Sequence, residues 1–361
     1  MPDINEAFPH KFCINLDRRP ERWEQMRSKF ERCGVEGVQR FAAVDGQQTI
    51  VPAGWTDSPG AYGCLRSHLE IMEEARRRGW PNVLIFEDDA ALDPELNEKF
   101  SSYFEQVPSD WEMLHFGANH MAEPVGVSAN VVRITSANST FAYALNAAVF
   151  DGFIELNTRA LTAVDLNNRT LQKEHACYCF MPHLAWVEDL SSDVQVRQKY
   201  HWYLKESLVL HGTGMDQILR ETAVIIKDRG DVSFLKRFYE KYLPGVELIV
   251  NGAVDDTNKS FLIFTDSNVF VEEWDIRGNL RMCERFDCAT GFRSLVELTS
   301  EATRMLRTSS PMILTPWFDA NDYERSEKSE PFERFSLFRR EAVGKKELKV
   351  FESPNDALLM A

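Results

Sequence analysis

In the first third of the chain, short apolar runs alternate with segments whose apolar residues recur at helical spacing. Short apolar runs typical of buried strands occupy residues 11–16, 38–43, 83–86 and 112–116. Between them lie segments with apolar residues at helical spacing, namely one that follows Pro20, one over 61–78 and one over 93–106. Gly34 and Gly79 stand where the first two of these helices should end. This alternation predicts a mainly parallel sheet flanked by helices.

The remainder of the chain predicts further α/β structure. Within residues 131–186 we expect strands at 131–135, 141–145 and 176–180, and helices at 147–157 and 165–175. From residue 222 we expect strands at 222–227, 246–250, 261–265, 269–274 and 311–315, and helices at 232–243 and 291–306. The sequence therefore predicts a larger α/β domain over 1–210 and a smaller α/β domain over 211–361.

Composition narrows the class of protein. The chain has 361 residues, of which 44% are hydrophobic and 27% charged, as in ordinary globular proteins. The formal net charge is −15 and both halves are acidic, so a broad basic face for nucleic acid is not indicated, although a local patch stays open. The chain has no run of about 18 apolar residues, so the sequence predicts no transmembrane helix. The start of the chain lacks the pattern of a secretory signal.

Cysteine usage points to a reducing compartment. The seven cysteines are odd in number and irregular in spacing, and they form no paired CxxC of a zinc site. We therefore expect free thiols and a cytoplasmic protein, soluble or peripheral to a membrane.

Three adjacent acids follow the apolar run VLIF, namely Glu87, Asp88 and Asp89. Neighbouring carboxylates repel one another, so a fold that gathers them usually supplies a cation. Their oxygens suit hard divalent ions such as Mg²⁺ or Mn²⁺, and ligands of open α/β sheets bind beyond the carboxyl ends of the strands. The alternative is a solvated acidic turn before a helix.

Two further motifs could face an anionic ligand. In GCLRSH at 63–68, small residues open a helix and Ser67 and His68 follow, and a helix N-terminus suits phosphate. In INLDRR at 14–19, a strand runs into an acid and two cations. Taken singly, these motifs are better explained by an ordinary capped helix with a surface His and by a charged helix start.

Five motifs stand together in one order. They are INLDRRPERW at 14–23, FAAVDG at 41–46, GCLRSH at 63–68, LIFEDDA at 84–90 and DWEMLHFG at 110–117. This set closely resembles glycosyltransferase family 25, the lipooligosaccharide-type sugar transferases, over about residues 11–200. The resemblance implies a glycosyltransferase A-type (Rossmann-like) mixed sheet with flanking helices, an inverting transfer, a divalent metal and a nucleotide-sugar donor, often UDP-galactose.

The resemblance also implies roles for single residues. Asp89, with Glu87, would bind the metal, Mn²⁺ or Mg²⁺. Asp165 would be the catalytic base, with Asp193 and Glu188 as alternatives, although an Asp at a helix start is also a common N-cap. The residues expected to bind the nucleotide sugar are Asn15, Leu16, Asp17, Arg22, Asp45, Ser67, His68 and Asp88.

The expected function is a metal-dependent transfer of a hexose, galactose or glucose, to a glycan or lipid-linked glycan, as in lipopolysaccharide biosynthesis. Two alternatives are the same chemistry on a protein side chain or a hydroxylated nucleobase, and nucleotide-sugar binding without turnover. The second domain could bind the acceptor or mediate homo-oligomerisation. The aromatic stretch at 200–203 could pack on the acceptor sugar or form a seam between domains. His201 and His211 are weaker candidates for a third metal ligand.

Overall fold

A computed structural model describes most of the first 266 residues and short stretches beyond them. The described residues are 2–187, 202–227, 232–253, 256–266, 269–270, 276–278, 280–281, 288–289, 294–298, 303–308 and 336–339. The chain divides into two compact units, Met1–Val209 and Leu210–Ala361. Over the described residues, no helix combines the length and the apolar character that a membrane crossing requires.

The first unit is built on a mixed sheet. Its strands are β1 (Lys11–Asn15), β2 (Val38–Ala42), β3 (Asn82–Glu87), β4 (Ala90–Leu92), β5 (Met113–His115), β6 (Asn119–His120), β7 (Val125–Gly126), β8 (Val131–Arg133), β9 (Ala137–Asn138), β10 (Ala142–Asn146), β11 (Cys177–Phe180) and β12 (Ala185–Val187). Among the described residues, the main sheet has the order β2-β1-β3-β10-β5-β11-β8-β7. β2, β1 and β3 run parallel, and β10 pairs antiparallel with both β3 and β5.

Helices cover the faces of this sheet. They are α1 (Ile4–Ala7), α2 (Pro20–Cys33), α3 (Pro59–Arg78), α4 (Leu96–Phe104), α5 (Phe150–Arg159), α6 (Val164–Glu174) and α7 (Trp202–Lys205), with short 3₁₀ helices at Gly46–Gln48 and Ala147–Val149. The expected mixed α/β sheet with flanking helices is confirmed. β4 and β12 form a small separate pair, as do β6 and β9.

Local chemistry explains where the two long helices end. α2 begins at Pro20, whose fixed φ suits the first helical position, and stops at Gly34 with φ +67°. α3 is capped by Ser58, whose side chain accepts the N–H of Ala61, and stops at Gly79 with φ +66°. The glycine stops read from the sequence are therefore confirmed.

The two faces of the sheet carry separate cores because strand side chains alternate. In β3, Val83 and Ile85 belong to a core built mainly with α3, α5 and α6. Phe86 points to the other face, where its ring lies 5.0 Å from that of Phe30 and 6.4 Å from that of Phe116. This packing fixes β3, and with it the acids that follow Phe86.

Two predicted helices of the first unit have different boundaries. The helix expected over 93–106 is the shorter α4, preceded by β4, which pairs with the distant β12. The helix expected over 61–78 begins two residues earlier, at Pro59. GCLRSH therefore lies inside α3 and does not open it, so the expectation that its residues offer free helix N–H groups is wrong.

The second unit contains its own α/β structure. Its elements are α8 (Thr213–Arg220), β13 (Thr222–Lys227), α9 (Ser233–Tyr242), β14 (Glu247–Val250), β15 (Phe261–Asp266), β16 (Val269–Phe270), β17 (Cys288–Ala289), β18 (Ser294–Leu298), β19 (Thr303–Thr308) and β20 (Ser336–Arg339). Among the described residues, one sheet has the order β14-β13-β15-β20-β17 and another the order β16-β18-β19. β14, β13 and β15 are parallel, whereas β20 pairs antiparallel with β15.

The helix predicted over 291–306 is wrong. β18 and β19 occupy this segment as an antiparallel pair with a register shift between Leu295 and Val296. Pairing between the two strands overrides the local helical pattern, because strand preference depends on the partner strand more than on single residues. The strand predicted at 311–315 lies outside the described residues.

Candidate functional site

A cleft of about 580 Å³ lies beyond the carboxyl ends of β1, β2 and β3. The three strands are parallel, so their last residues meet at one edge of the sheet. The cleft is lined by Ile14, Leu16, Arg18, Arg22, Ala43, Val44, Asp45, Gly46, Gly60, Cys64, Ser67, Glu87, Asp88 and Asp89. The structure thus brings together Leu16, Arg22, Asp45, Ser67 and the three acids from the predicted set.

One wall of the cleft depends on two glycines. The loop after β2 approaches α3 so closely that a Cβ on Gly63 would lie 2.3 Å from the carbonyl oxygen of Val44. A Cβ on Gly46 would lie 1.7 Å from the carbonyl oxygen of Pro59. The Ser67 hydroxyl accepts the N–H of Val44 at 2.9 Å and donates to the carbonyl of Gly63 at 2.8 Å. Ser67 therefore fastens the loop to the helix while it lines the cleft.

Glu87 is held by a chain of buried groups. Its Oε1 accepts the Thr140 hydroxyl at 2.5 Å and lies 3.3 Å from Nε2 of His68. Burial pushes the pKa of Glu87 up, but the hydrogen bonds from His68 and Thr140 outweigh burial and leave this pKa below its ordinary value. An ionised carboxylate only accepts, so Nε2 of His68 donates to it, and Nδ1 of the same ring lies 3.0 Å from the Tyr143 hydroxyl.

His68 is placed differently from the expectation. The side chain is buried within the first unit and does not line the cleft. It reaches the cleft only through Glu87, so its contacts are those of a positioning residue. Tyr143 and Thr140, which complete this chain, were not predicted as site residues. They follow Asp89 by more than 50 positions, and no local pattern links them to it.

Asp88 is bound by partners from the start of the chain. Nδ2 of Asn15 donates to its Oδ2 at 2.7 Å, and Nη1 of Arg22 donates to its Oδ1 at 3.1 Å. Burial raises the pKa of Asp88, as does the charge of Glu87, although Asn15 and Arg22 oppose the shift. Both oxygens of Asp88 thus face donors of the chain itself.

Asp89 contrasts with its two neighbours. Its Oδ1 is buried and has no hydrogen-bond partner among the described residues. Burial, with the charges of Glu87 and Asp88, raises the pKa of Asp89 to about 8. A buried carboxylate oxygen without a donor, at the edge of a cleft with two further acids, fits a hard divalent cation. The chemistry of Asp89 suits such an ion, and the metal site at Asp89 and Glu87 stays a prediction.

The turn after β1 carries the remaining predicted residues. Asn15 is buried, and its Oδ1 accepts Nε of Arg40 at 2.7 Å. Arg40 also binds the exposed Asp17 at 2.6 Å, and Asp17 does not line the cleft. Arg18 lines the cleft and pairs with Asp45 at 3.2 Å. Arg18 was not predicted, although its place in the Asp-Arg-Arg run marks it as a candidate cation.

Of the three predicted catalytic bases, the structure describes Asp165. Asp165 lies in the first turn of α6, where it accepts the N–H groups of Leu166 at 2.9 Å and Ser139 at 3.3 Å. It does not line the cleft and is not the N-cap, which is Ala163. Burial first, then the charges of Glu87 and Asp165, raise the pKa of Cys64 well above its ordinary value. Asp193 and Glu188 lie outside the described residues.

The aromatic stretch is only partly described. Tyr200 and His201 lie outside the described residues, while Trp202 begins α7 and Tyr203 is buried. The five cysteines whose side chains are described are free thiols, as predicted, namely Cys13, Cys33, Cys64, Cys177 and Cys179.

The region of the chain that holds the cleft matches a known protein family. Residues 8–165 match the model of the family described as Glycosyltransferase family 25 (LPS biosynthesis protein). Over these residues the chain resembles that family, as the ordered motifs predicted. The matched region includes β1, β2 and β3, the three acids and every residue that lines the cleft.

The relatives of this region carry different printed names. A "Glycosyltransferase 25 family member" of Aedes aegypti is 29% identical over 34% of this chain and 23% of its own length. The "Inactive glycosyltransferase 25 family member 3" of Homo sapiens is 29% identical over 31% of this chain and 22% of its own length. This chain therefore spans less than a quarter of the length of either relative.

A solved structure of mannose-1-phosphate geranyltransferase from Thermus thermophilus covers 76% of this chain and 83% of its own. Its identity is 10% and its TM-score 0.26, a value that supports no argument about this fold.

Proposed function

We propose that this chain is a metal-dependent, inverting glycosyltransferase that moves a hexose from a nucleotide sugar to a glycan or lipid-linked glycan. The observation that carries the proposal is the buried, unpartnered Oδ1 of Asp89 in the cleft of the region that matches family 25. Relatives named glycosyltransferases support the reaction class, and the cleft beyond parallel strand ends supports a nucleotide ligand.

Asp89 and Glu87 are the residues that would hold Mn²⁺ or Mg²⁺. A bound divalent ion neutralises a diphosphate and stabilises it as a leaving group. Asp88 accepts hydrogen bonds from Asn15 and Arg22, so its role is to join the turn after β1 to the acids after β3. His68, Thr140 and Glu87 form one hydrogen-bonded unit, which fixes the Glu87 carboxylate before any ligand enters.

The opposite lip of the cleft suits the rest of a nucleotide sugar, of which a UDP-sugar is the donor we expect. Ile14, Leu16 and Ala43 offer apolar surface for a flat base. Arg18 offers a partly exposed guanidinium for phosphate oxygens, and Asp45 offers carboxylate oxygens for sugar hydroxyls.

An inverting displacement needs a base at the acceptor hydroxyl, on the side of the anomeric carbon away from the diphosphate. Asp165 is our first candidate because the family resemblance places an acid at the start of a helix near the acceptor, and Asp165 lies in the first turn of α6. Asp193 is the second candidate. The acceptor is proposed to be a glycan or lipid-linked glycan, since the family description refers to LPS biosynthesis. A protein side chain or a hydroxylated nucleobase would leave the donor chemistry unchanged.

Binding of a nucleotide sugar without turnover is a second candidate function. It is favoured by the relatives whose printed names include the word inactive. Metal-dependent hydrolysis of the donor by water separates the two candidates, because a binding protein lacks it.

The test is a donor screen with the purified chain, Mn²⁺ and a panel of nucleotide sugars, with released nucleotide as the readout. We expect release with one donor, lost in EDTA and reduced at least about 100-fold in Asp89→Asn, since metal stabilisation of a leaving group is worth several kcal/mol. Asp151→Asn, at an exposed ion pair with Arg76, is the matched control and should retain full activity. Full activity in EDTA, or in Asp89→Asn, would refute metal-dependent transfer. Donor binding without any release would establish the binding-only alternative.

A further inference from the structure

A second cluster of metal-ligating side chains lies in the first unit, apart from the three acids. His120 of β6, Cys179 of β11 and His183, which follows β11, are all buried. One ligand atom from each, two imidazole nitrogens and the thiol sulfur, lies within 4.8 Å of the others. The three residues come from separate segments, so only the fold assembles them.

A hydrogen bond from Nδ1 of His183 to the backbone leaves Nε2 as the ring nitrogen that faces the cluster. Its Nδ1 lies 2.8 Å from the carbonyl oxygen of Leu204, which only accepts, so Nδ1 carries the proton and Nε2 has a free lone pair. This second-sphere carbonyl is the arrangement that orients metal-bound histidines. Nε2 of His183 lies 3.4 Å from Nε2 of His120. Two nitrogens bound to one tetrahedral zinc lie about 3.3 Å apart, given Zn–N bonds of about 2.0–2.1 Å.

The surroundings keep both imidazoles neutral. Burial lowers the pKa of His183 to about 4 and lowers that of His120 well below its ordinary value. Neutral imidazole is the ligand form of histidine. Nδ1 of His120 is buried and has no hydrogen-bond partner among the described residues, so the contact with His183 accounts for only one of its two ring nitrogens.

The neighbouring strand carries a further buried histidine. His115 of β5 pairs in register with Cys179 of β11, and side chains at paired positions lie on the same face of a sheet. His115 is buried, and its Nδ1 also has no hydrogen-bond partner in the described part of the chain.

We propose that His120, Cys179 and His183 bind a zinc-class transition-metal ion, with a fourth position left to water. On binding, the Cys179 thiol releases its proton to solvent and the thiolate, with two imidazole nitrogens, coordinates the ion. Such a soft and borderline donor set selects zinc over Mg²⁺ or Mn²⁺. This site is separate from the proposed function and has a structural role. It would join β6 and β11 to His183, which bonds the Leu204 carbonyl of α7.

The test uses the purified full-length chain and measures bound metal directly. After incubation with excess Zn²⁺ and gel filtration, we expect about one zinc per chain by mass spectrometry of the metal. Replacement by Co²⁺ should give the near-ultraviolet charge-transfer band of a cobalt–thiolate bond. Because Cys64, beside His68 and Glu87, also offers a thiol at the cleft, the cysteine variants below assign the band to its cluster.

Two matched variants assign the thiolate. Cys179→Ser should lose the cobalt–thiolate band and at least about nine-tenths of the zinc, because a neutral hydroxyl is a poor replacement for a thiolate ligand. Cys177→Ser changes an equally buried cysteine two residues earlier on the same strand and should retain both. Wild-type protein that takes up no zinc, or cobalt without a thiolate band, would overturn the proposal. So would an undiminished band in Cys179→Ser. The two wild-type outcomes overturn the proposal even where a variant fails to fold.

Discussion

Arg18 is the cleft cation whose loss the fold should tolerate best. Its side chain is 39% exposed, and its pair with Asp45 is of the surface kind that contributes at most about 1 kcal/mol. A hydrogen bond to a charged phosphate is worth about 1.5–3 kcal/mol. We therefore expect Arg18→Ala to raise the donor KM about 10-fold or more and to leave the melting temperature nearly unchanged.

The control for this prediction is Arg27→Ala. Arg27 lies on α2 and pairs with the exposed Glu24 at 2.9 Å, away from the cleft. Its replacement should change neither the KM nor the melting temperature. Equal KM values for Arg18→Ala and wild type would remove Arg18 from the donor site.

At the level of elements, the contact between the loop after β2 and α3 should be sensitive to a single methyl group. A Cβ on Gly63 would meet the carbonyl oxygen of Val44 at 2.3 Å and the backbone nitrogen of Gly46 at 2.6 Å. Because these neighbours are backbone atoms, the loop itself must move. Gly63→Ala should lower the free energy of unfolding by about 1–3 kcal/mol and weaken donor binding. Urea denaturation and calorimetric titration with the donor's nucleotide measure the two effects.

Gly126→Ala is the matched control, since a Cβ there meets nothing within 4 Å. Its stability should lie within about 0.5 kcal/mol of wild type. A Gly63→Ala protein with wild-type stability would show that the loop is not held against α3 in solution.

A second element-scale prediction concerns acid stability where α6 leads into β11. Glu112 accepts the N–H of Ala176 at 2.8 Å and lies 2.9 Å from Nδ1 of His175. Burial raises the pKa of Glu112, but these two partners outweigh it, and its pKa falls below the ordinary value of 4.5. A carboxyl with a lowered folded pKa stabilises the protein above the unfolded pKa and loses that stabilisation as the pH falls through the folded pKa.

Glu112→Gln should therefore cost about 1 kcal/mol of unfolding free energy at pH 7. The difference in unfolding free energy between Glu112→Gln and wild type should shrink below pH 4.5, because the carboxyl takes up its proton in the unfolded chain before it does so in the folded protein. Denaturation curves across pH 3–7 measure this difference. Glu155→Gln, at an exposed pair with Arg159, should show none. A Glu112→Gln difference that stays constant with pH would contradict the assigned interactions.

At the scale of the whole molecule, donor binding should belong to the first unit alone. Every residue that lines the cleft, and each partner described for the three acids, falls within Met1–Val209. We expect a fragment of residues 1–209 to bind Mn²⁺ and nucleotide with the Kd of the full chain and to hydrolyse the donor. Transfer to the acceptor should require residues 210–361. A fragment that transfers at the full rate, or one that folds but does not bind nucleotide, would contradict this division.

The sequence by itself determined the features that depend on near neighbours. Helix stops at Gly34 and Gly79 follow from glycine's access to positive φ. The strand before Glu87 follows from an apolar run, and the family follows from motifs in one order. Each of these is encoded within a short window, so no knowledge of distant contacts was needed.

Only the tertiary structure decided the partners of each acid in the acidic run. Glu87, Asp88 and Asp89 are equivalent as a pattern, but they differ in the partners that distant segments bring to them. For the same reason the local pattern over 291–306 predicts a helix, whereas in the structure β18 and β19 pair as strands. Cys179 likewise looks like an isolated thiol until the fold places His120 and His183 beside it. Contacts between residues far apart in the sequence set these environments, so a local sequence pattern cannot predict them.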